Sequence, residues 1–309
     1  MRPGVSFLVT VYNKAPYLPL VVSAIAGQQG DFEREYVFVD DGSTDDSVAV
    51  LRRHLLGLSN AKLILQPNRG ASEAMNVAAA AASLPFIKMV DADDLLLPKA
   101  TLWLLDALAR HDAVVAYGSC GLYEFGEPIK WPEVGDPPGS DAIEKPFTEL
   151  LRGSNVGPSL MLLPTALYRE VGGCKSHICT QDYSLLFKLA RRGPFARVNA
   201  PVAMAPRVAP GRMSDSTGRM LHDVNLVLME ALAEIPELTP TQRRYMTRRA
   251  AARAFRFRYR RGGSTSLAAS ALRYLRASLR LVRDQPALVA GTLRDFGVPS
   301  QIEGWRPGS

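Results

Sequence analysis

The chain has 309 residues, 47% of them hydrophobic, and its 37 Lys and Arg against 30 Asp and Glu give a formal charge of +7. This length predicts one large domain with an appendage, or two domains, because a domain typically holds roughly 100–200 residues. The composition argues against collagen-like, disordered and disulfide-stapled proteins. The longest weakly polar run, Val77–Ile87, is far shorter than the roughly 20 apolar residues that span a bilayer. An integral membrane protein is therefore not expected.

Charge is distributed unevenly along the chain. Residues 240–309 contain fifteen Arg, no Lys and three acidic residues, a net charge of +12, which leaves −5 for the first 239 residues. Such an asymmetry points to an anionic partner for the basic segment. The acidic residues of the first part need a separate explanation.

Short β-rich runs alternate with helical patterns through the first part of the chain. The expected strands are Val5–Val11, Tyr36–Val39, Lys62–Leu65, Phe86–Val90 and Ala113–Tyr117. The expected helices are Pro16–Gln28, a helix capped by Ser43 or Thr44 that runs to about Leu56, Ser72–Ala82 and Lys99–Arg110. This alternation predicts an α/β fold with a mostly parallel sheet and helices on both faces.

The rest of the chain is expected to be irregular at first and helical at its end. Residues 118–157 are rich in Pro and Gly and predict a long irregular loop, a feature that is usually functional or disordered. The elements expected after it are a strand Ser159–Leu163, helices Thr165–Val171 and Asp182–Arg192, a strand Ala196–Val208, and an all-helical region from about Thr217.

Acidic residues follow two of the predicted parallel strands. Asp40 and Asp41 end the second strand, and Asp91-Ala92-Asp93-Asp94 ends the fourth. Ligands bind at the carboxyl ends of strands in open α/β sheets, and bunched carboxylates repel one another without a counter-charge. Because Mg²⁺ and Mn²⁺ prefer hard oxygen ligands, these residues predict a divalent metal site. The alternative is that the Asp-rich turns only cap helices.

A series of short motifs carries a family resemblance. The motifs are, in chain order, Val9-Thr10-Val11-Tyr12-Asn13, Val39-Asp40-Asp41-Gly42-Ser43-Thr44-Asp45, Asn68-Arg69-Gly70-Ala71-Ser72, Ala74-Met75-Asn76, Val90-Asp91-Ala92-Asp93-Asp94, Gly172-Gly173 and Gln181-Asp182-Tyr183-Ser184-Leu185. This set resembles the family 2 glycosyltransferases, which are inverting enzymes of the GT-A fold. The resemblance implies a GT-A-type, Rossmann-like domain over residues 1–215, with a nucleotide-sugar half (1–117) and an acceptor half (118–215). Residues 216–309 would form a helical, Arg-rich region.

The resemblance also implies roles for individual residues. The nucleotide-sugar site would contain Thr10, Tyr12, Asn13, Asp40, Asp41, Asn76, Asp91, Ala92 and Asp93. Within it, Tyr12 and Asp40 would contact the nucleotide base, and Asp40 favours uridine or a similar pyrimidine. Asp91 and Asp93 would form an Asp-x-Asp motif that contacts the ribose and the metal-bridged diphosphate. These two carboxylates would be the protein ligands of a Mg²⁺ or Mn²⁺ cofactor.

On the acceptor side, the resemblance makes Asp182 the general base. Gln181 stands beside it where the family usually has a second acidic residue, and Ala209 stands where a metal-coordinating His often lies. Trp131 could stack on an acceptor sugar or anchor the loop around it. These features assign Asp182 as the catalytic residue and Gln181 and Trp131 to the acceptor side.

The implied reaction is a single displacement with inversion. It would move a sugar from a nucleotide-diphosphate donor, with UDP favoured, to a hydroxyl of a glycan or lipid-linked acceptor in cell-envelope polysaccharide biosynthesis. Membrane spans and the Gln-x-x-Arg-Trp motif of polysaccharide synthases are not found, which predicts non-processive transfer. The alternatives are a catalytically inactive nucleotide-sugar-binding module of the same fold and a nucleotidyltransferase.

The basic segment contains a helical pattern of Arg beside Leu. Arg273, Arg276, Arg280 and Arg283 step by three and four, next to a second stripe made of Leu272, Leu275, Leu279 and Val282. A basic amphipathic helix of this kind can lie on an anionic membrane surface. The alternatives are that the apolar stripe packs on the catalytic domain, or that a protein partner binds it; nucleic acid is not expected.

The cysteines bear on the compartment. Cys120, Cys174 and Cys179 are odd in number, and no apolar leader precedes Val5–Val11, which together predict a reducing, cytoplasmic setting. The protein could then be peripheral on the inner face of the membrane. Cys174, His177 and Cys179 bring three soft ligands close together, but structural zinc usually has four ligands at wider spacing. A loop beside the acceptor site is the preferred interpretation.

Overall fold

The structure is a computed structural model that describes residues 2–152, 156–176, 178–208, 217–261 and 264–298. The chain divides into two compact units, residues 1–210 (unit 1) and residues 211–309 (unit 2). Unit 1 contains the sheet and unit 2 contains the C-terminal helices.

The described residues of unit 1 form one nine-stranded sheet. Its strands are β1 Gly4–Val11, β2 Glu33–Asp40, β3 Ala61–Leu65, β4 Phe86–Asp91, β5 Leu95–Leu96, β6 Val115–Tyr123, β7 Ser140–Ile143, β8 Met161–Pro164 and β9 Phe195–Pro206. The strand order is β3-β2-β1-β4-β8-β6-β9-β5, and β7 pairs with β9. The helices are α1 Leu18–Ala26, α2 Ser47–Leu55, α3 Ala71–Ala81, α4 Ala100–Arg110, α5 Pro146–Arg152, α6 Thr165–Glu170 and α7 Gln181–Leu189.

The first half of the sheet, β3-β2-β1-β4, is parallel throughout and positions the acidic motifs. Its central strand β1 is almost wholly buried, as its run of apolar residues predicts. In this register Thr10 pairs with both Val39 and Asp91, and Val11 pairs with Asp40. The acidic ends of β2 and β4 therefore flank the end of β1 on the same edge of the sheet.

The second half of the sheet contains antiparallel pairs. Strand β8 pairs antiparallel with both β4 and β6, whereas β6 and β9 are parallel. The predicted α/β fold with its mostly parallel sheet and helical C-terminal region is confirmed. Strand β9 also pairs antiparallel with β5 and with β7.

The expected irregular loop over residues 118–157 is wrong in part. It contains the end of β6, the short strand β7 and helix α5. Two of the glycines that suggested a loop, Gly118 and Gly121, lie inside β6. A Cβ on Gly118 would lie 2.5 Å from Val202 Cγ1, so glycine is needed there for the close approach of β9.

The predicted cap of the second helix is also wrong. Helix α2 starts at Ser47, and its N-cap residue Asp46 makes no side-chain capping bond. Ser43 instead accepts a hydrogen bond at Oγ from the backbone N–H of Asn13 (2.9 Å). The hydroxyl that could have capped the helix ties the end of β1 to the loop after β2.

Unit 2 is built from helices in the part of the chain that is described. These are α8 Thr217–Glu234, α9 Pro240–Arg261, α10 Ser264–Ser278 and α11 Gln285–Leu293. Small apolar clusters hold them together, one of Ala251, Ala277 and Leu288 and one of Ala254, Phe257 and Phe296. None of the described helices is long and apolar enough to cross a membrane.

The predicted Arg and Leu stripes do not lie on one helix. Helix α10 ends at Ser278 and Arg280 has a positive φ of 62°, so the chain turns there. Arg273 does not face solvent freely but pairs with the buried carboxylate of Asp295 (2.5 Å). Leu272 and Leu275 remain as an exposed apolar face on α10. Spacing alone could not show where the helix ends, because residues 279–283 continue the same sequence pattern.

Candidate active site

The loop after β4 holds the acidic cluster at the carboxyl edge of the parallel strands. The backbone N–H of Asp91 donates to Ser159 Oγ (2.8 Å), and that of Asp94 donates to the Asp91 carbonyl (3.0 Å). The hydroxyl of Tyr123 donates to the carbonyl of Asp93 (2.9 Å). Ala92 is buried within this loop. The carboxylates are therefore presented by a backbone that is fixed from several sides.

Electrostatic repulsion is concentrated on Asp91. Burial raises the pKa of its carboxyl group well above the ordinary value, and the charges of Asp94, Asp93 and Asp182 raise it further. Lys14 opposes this effect, and its ammonium donates to Asp93 Oδ2 (2.7 Å). The structure thus brings Asp91, Asp93 and Asp182, predicted from separate motifs, into one electrostatic group.

Lys88 is a part of this region that sequence reasoning missed. Its side chain is fully buried in β4, and its ammonium donates to the carbonyls of Met89 (3.2 Å) and Ser159. Burial lowers the pKa of Lys88 to about 7, while Asp94 and Asp91 act to raise it. The available signal was a lysine inside an otherwise apolar strand that leads into the acidic motif.

The adjacent residues Asp40 and Asp41 have different environments although both are buried. Asp41 Oδ1 accepts from Gln66 Nε2 (2.7 Å) and the Arg69 N–H (2.8 Å), and its Oδ2 accepts from the Gly70 N–H (2.8 Å). Asp40 Oδ1 accepts from the N–H of Ser43, but its Oδ2 has no hydrogen-bond partner among the described residues. Asp41 holds the loop before α3, whereas Asp40 keeps one acceptor available.

The end of β1 contributes Thr10, Tyr12 and Asn13. The Tyr12 ring is 47% exposed beside the acidic edge of the sheet and therefore presents a free aromatic face. Asn13 adopts a positive φ of 52° and accepts at Oδ1 from the Thr44 N–H (2.8 Å). Thr10 lies at the register position opposite Asp91. Asn13 thus fixes the loop after β2, and Tyr12 is the side chain free to stack.

Asn76 lies on α3 and is fully engaged with the acceptor-side segment. Its Oδ1 accepts from the Tyr168 hydroxyl (2.7 Å) and the Cys174 N–H (2.9 Å), and its Nδ2 donates to the Cys174 carbonyl (2.9 Å). Gly173 has φ +59°, and a Cβ there would lie 2.5 Å from Asn76 Oδ1. Asn76 therefore holds the segment around Gly173 and Cys174 against α3, and its predicted place in the nucleotide-sugar site stays a prediction.

Asp182 is the second residue of α7, and the loop before that helix is tied to α3. Ser72 Oγ donates to the Ile178 carbonyl (2.7 Å), and Ser176 Oγ donates to Glu73 (2.8 Å). Burial raises the pKa of Asp182 to about 6, although the backbone N–H groups of Tyr183 and Asp182 lower it. The carboxylate is therefore held in place and titrates close to neutral pH.

Two further polar atoms beside Asp182 lack partners. The Thr180 hydroxyl and Gln181 Oε1 are buried and make no hydrogen bond among the described residues. A buried acceptor without a partner costs free energy unless a ligand or water pairs with it. Gln181 thus lies next to the predicted base, and its Oε1 can accept a hydrogen bond from a ligand.

Trp131 lies in the segment between β6 and β7, which is anchored by another residue. Asp136 accepts from Trp103 Nε1 (3.1 Å) and pairs with Lys99. Trp131 is 40% exposed, so part of its side chain is accessible to solvent. Stacking on an acceptor sugar and anchoring of the loop both stay predictions for this residue.

The cysteine cluster shows no disulfide. Cys120, Cys174 and Cys179 form no disulfide in the described part of the chain, and burial raises the pKa of Cys174 to about 12. Cys174 Sγ lies 3.3 Å from the Tyr168 hydroxyl oxygen. His177 lies outside the described residues, as does Ala209. Cys174 therefore has the environment of a structural thiol.

A divalent cation suits the donor set, although the protein supplies few ligands. Among the described residues no group of three or more His, Cys, Asp or Glu side chains is arranged to hold a metal ion. Mg²⁺ and Mn²⁺, however, are commonly held by one or two carboxylates plus substrate phosphates. Burial raises the pKa of Asp91 first and the charges of Asp94, Asp93 and Asp182 raise it further, so a cation bound here would relieve this repulsion. Asp91 and Asp93 therefore fit such an ion by their chemistry.

This sheet order, with an acidic loop after β4, defines a protein of the GT-A fold class, and similarity to solved structures supports it. One is the Staphylococcus aureus protein TarS, residues 1–349, in complex with UDP-GlcNAc; it has 18% identity and a TM-score of 0.66 over 96% of this chain and 80% of TarS. Another is the mannosyltransferase PcManGT from Pyrobaculum calidifontis in complex with GDP-Man and Mn²⁺, with 20% identity and a TM-score of 0.59 over 96% and 86%.

The sequence places the chain more narrowly. The profile of glycosyl transferase family 2 matches residues 6–188, and the chain belongs to this family. Chondroitin synthase of Escherichia coli is 34% identical over 203 residues, which are 64% of this chain and 28% of that protein. The glycosyltransferase GlyG of Streptococcus pneumoniae is 30% identical over 40% of this chain and 41% of GlyG. The chain thus spans less than half the length of these relatives. The predicted family is confirmed.

Proposed function

We propose that this protein is an inverting glycosyltransferase that moves a sugar from a nucleotide-diphosphate donor to an acceptor hydroxyl. The observation that carries this proposal is the position of Asp182. It is held at the start of α7, is electrostatically coupled to Asp91, and has a pKa of about 6. A base whose pKa lies near the operating pH is the efficient choice for removing a proton in the transition state.

The proposed reaction is a single displacement. A carboxylate oxygen of Asp182 takes the proton from the acceptor hydroxyl. At the same time the oxygen of that hydroxyl attacks the anomeric carbon from the face opposite the diphosphate. The anomeric bond to the diphosphate breaks, and the nucleoside diphosphate leaves with the bonding electron pair. Asp91 and Asp93 would hold a Mg²⁺ or Mn²⁺ ion, which would supply positive charge for the departing diphosphate. Lys14, already bonded to Asp93, adds a second cation at that position.

The donor site that we propose combines Tyr12 and Asp40. The exposed Tyr12 ring is suited to stack on a base, and the unpartnered Oδ2 of Asp40 is suited to accept an N–H from a pyrimidine edge. TarS binds UDP-GlcNAc and PcManGT binds GDP-Man, so both kinds of donor occur among proteins of this fold. The free acceptor on Asp40 favours a uridine diphosphate sugar.

For the acceptor, we propose a hydroxyl of a glycan or of a lipid-linked glycan, one sugar at a time. Gln181, with its unpartnered Oε1, and the exposed ring of Trp131 are the candidate contacts. Unit 1 is proposed as the catalytic domain, with the boundary near residue 215. Unit 2 is proposed to attach the enzyme to an anionic membrane surface on the cytoplasmic face, because exposed Leu272 and Leu275 lie among arginines.

A panel of nucleotide sugars tests the proposal. The purified chain is incubated with UDP-, dTDP- and GDP-sugars and candidate glycan acceptors, with Mn²⁺ or with EDTA, and nucleoside diphosphate release is measured. The expected result is metal-dependent release with at least one UDP-sugar and an inverted anomeric centre by NMR. Retention of configuration would exclude Asp182 as the base. Release of inorganic diphosphate from a nucleoside triphosphate and a sugar 1-phosphate, supplied in a parallel reaction, would indicate a nucleotidyltransferase. Binding of nucleotide sugars without turnover would indicate an inactive module.

A further inference from the structure

Unit 2 contains a cavity of about 300 Å³ that is lined by cationic side chains. Arg243, Arg244 and Arg280 contribute to its wall together with Thr247 and Gln285. None of the described residues that line it is acidic. The cavity is therefore a concentration of positive charge with polar groups, and the function proposed for unit 1 does not use it.

The arginines of this cavity differ in how they are held. Arg243 donates to the carbonyls of Leu232 (2.7 Å), Ile235 (2.7 Å) and Leu238 (3.3 Å), so its guanidinium is fixed in place. In the described part of the chain, neither Arg244 nor Arg280 forms an ion pair. Two guanidinium groups thus face the cavity region with their charges not neutralised by a carboxylate.

The backbone around the cavity adds to its positive potential. Helix α9 begins at Pro240 and α11 begins at Gln285, and both residues line the cavity. The aligned peptide dipoles of each helix place a partial positive charge that favours anions at this end. The N–H of Gln242 already donates to Thr239 Oγ1 (3.2 Å), so the helix dipoles rather than free N–H groups supply this potential. The neighbouring carboxylate of Asp284 is engaged as the cap of α11, where Oδ1 accepts from the Ala287 N–H (2.9 Å).

Apolar side chains stand at the rim beside Arg280. Leu279 is 58% exposed and Leu281 is 63% exposed, and they flank Arg280 in a turn where its φ is +62°. Exposed leucines next to a cationic cavity are unfavourable in water but match a membrane interface, where acyl chains lie directly beneath phosphate groups. A nucleic acid or a free anion gives no apolar environment to these two leucines.

We propose that the cavity binds the phosphate group of an anionic phospholipid while Leu279 and Leu281 enter the apolar layer below it. The planar guanidinium groups of Arg244 and Arg280 suit phosphate oxygens, which they can bind through paired N–H donors. This inference rests on the membrane attachment proposed for unit 2. It adds that the attachment uses one defined site, the cavity, and that this site recognises a lipid phosphate.

The test compares two pairs of substitutions in the full chain that remove the same charge. Arg244→Gln with Arg280→Gln changes the cavity, and Arg256→Gln with Arg260→Gln changes exposed arginines of α9 that do not line it. Binding is measured by sedimentation with phosphatidylcholine vesicles that contain or lack phosphatidylglycerol. Arginines near an anionic surface favour binding to it, so both pairs should weaken vesicle binding. We expect the vesicle affinity of the cavity pair to be about tenfold lower than that of the control pair. Equal losses would overturn the site.

A soluble probe separates a lipid site from a site for free phosphate. Glycerol phosphate should raise the melting temperature of the wild-type chain and of the variant Leu279→Ser with Leu281→Ser, but not of the cavity pair. That leucine variant should lose vesicle binding. If the leucine variant binds vesicles as well as the wild type does, the cavity is a site for free phosphate and the lipid assignment is overturned. If glycerol phosphate does not stabilise the wild type, the phosphate site itself is overturned.

The catalytic assay keeps this test apart from the proposed function. Every variant should keep the wild-type rate with a soluble acceptor and the wild-type melting temperature without phosphate. A wild-type chain that binds vesicles but transfers no sugar would contradict the proposed function and leave the lipid site standing. A cavity pair that loses soluble activity as well would show that its weaker binding comes from damage to the fold.

Discussion

The two units handle charge in opposite ways. In unit 1, carboxylates such as Asp41 and Glu35 are buried and bonded to fixed donors; Lys62, Ser6 and Ser83 lower the pKa of Glu35 to about 2 against the effect of burial. In unit 2, arginines such as Arg256 and Arg260 are exposed. Chemistry at a defined atom needs charge at a fixed position, whereas attachment to a surface needs charge that solvent can reach.

The same comparison can be made within each unit. Arg273 of unit 2 resembles the fixed charges of unit 1, because its guanidinium donates to both oxygens of Asp295. Tyr12 of unit 1 resembles the accessible groups of unit 2. Whether a side chain is fixed or accessible therefore depends on its own role and not only on its unit. Single substitutions can test this contrast.

The largest expected effect is that of Asp182→Asn. Removing a general base lowers kcat by roughly 10²–10⁴-fold, while donor binding, measured by calorimetry, should stay within about twofold. In the wild type, kcat should fall as the pH drops below about 6, because the pKa of Asp182 is raised to about 6 and only the carboxylate accepts the proton. Lost donor binding would remove Asp182 from the role of base.

Breaking the buried pair of Arg273 should have the largest effect on stability. Arg273→Met leaves Asp295 buried, with only the more distant Arg258 (3.8 Å) beside it. Removing one partner of a buried pair costs about 3–5 kcal/mol, and the partial exposure of Arg273 places the expected loss at the lower end. The matched control, Arg256→Met, should change the free energy of unfolding by less than about 0.5 kcal/mol. Urea unfolding measures both, and equal effects would contradict the contrast between fixed and accessible arginines.

Asp40→Ala and Asp41→Ala should separate binding from stability. Asp41 accepts three hydrogen bonds, so its loss should lower the free energy of unfolding by about 1–3 kcal/mol. Asp40→Ala should cost less stability but weaken donor binding by at least about tenfold. Denaturant unfolding and nucleotide titration give the two readouts, and the reverse pattern would exchange the roles of the two residues.

The smallest expected effect on stability is a gain in Asp91→Asn. The pKa of Asp91 is raised in the folded state, so ionising this carboxyl group lowers the free energy of unfolding as the pH rises through that pKa. Below the unfolded-state pKa of about 4 the carboxyl group is protonated in both states, and this penalty is absent. Asparagine removes the penalty, and we expect a higher melting temperature at pH 8 but not at pH 4, together with lost activity. Asp46→Asn, at an exposed position, is the control.

Much of the architecture could be predicted from the sequence because the signals are local. The strands β1, β2 and β4 follow from short apolar runs, and the acidic motifs follow directly at their ends. The exceptions are residues 118–157 and the start of α2. In both places a residue that suggests a loop or a cap serves a distant contact instead, Gly118 against Val202 and Ser43 against Asn13.

The candidate site was predictable as a set of residues but not in the part that each one plays. Asp91, Asp93 and Asp182 belong together as the motifs indicate. Asn76 matched a motif as well, yet its amide oxygen accepts hydrogen bonds from Tyr168 and Cys174, which lie nearly a hundred residues away. Lys88 and Ser159, which support the acidic loop, belong to none of the motifs.

The sequence by itself therefore determined the fold class, the family and the contrast between an acidic body and a basic C-terminal segment. Each of these depends on periodicity, on short motifs or on composition, and all three can be read along the chain. Only the tertiary structure decided that Asp41 holds a loop while Asp40 keeps a free oxygen, and that Arg273 is bonded while Arg244 is not. A hydrogen bond depends on which distant residue folding brings within 3 Å, and no local pattern records that partner.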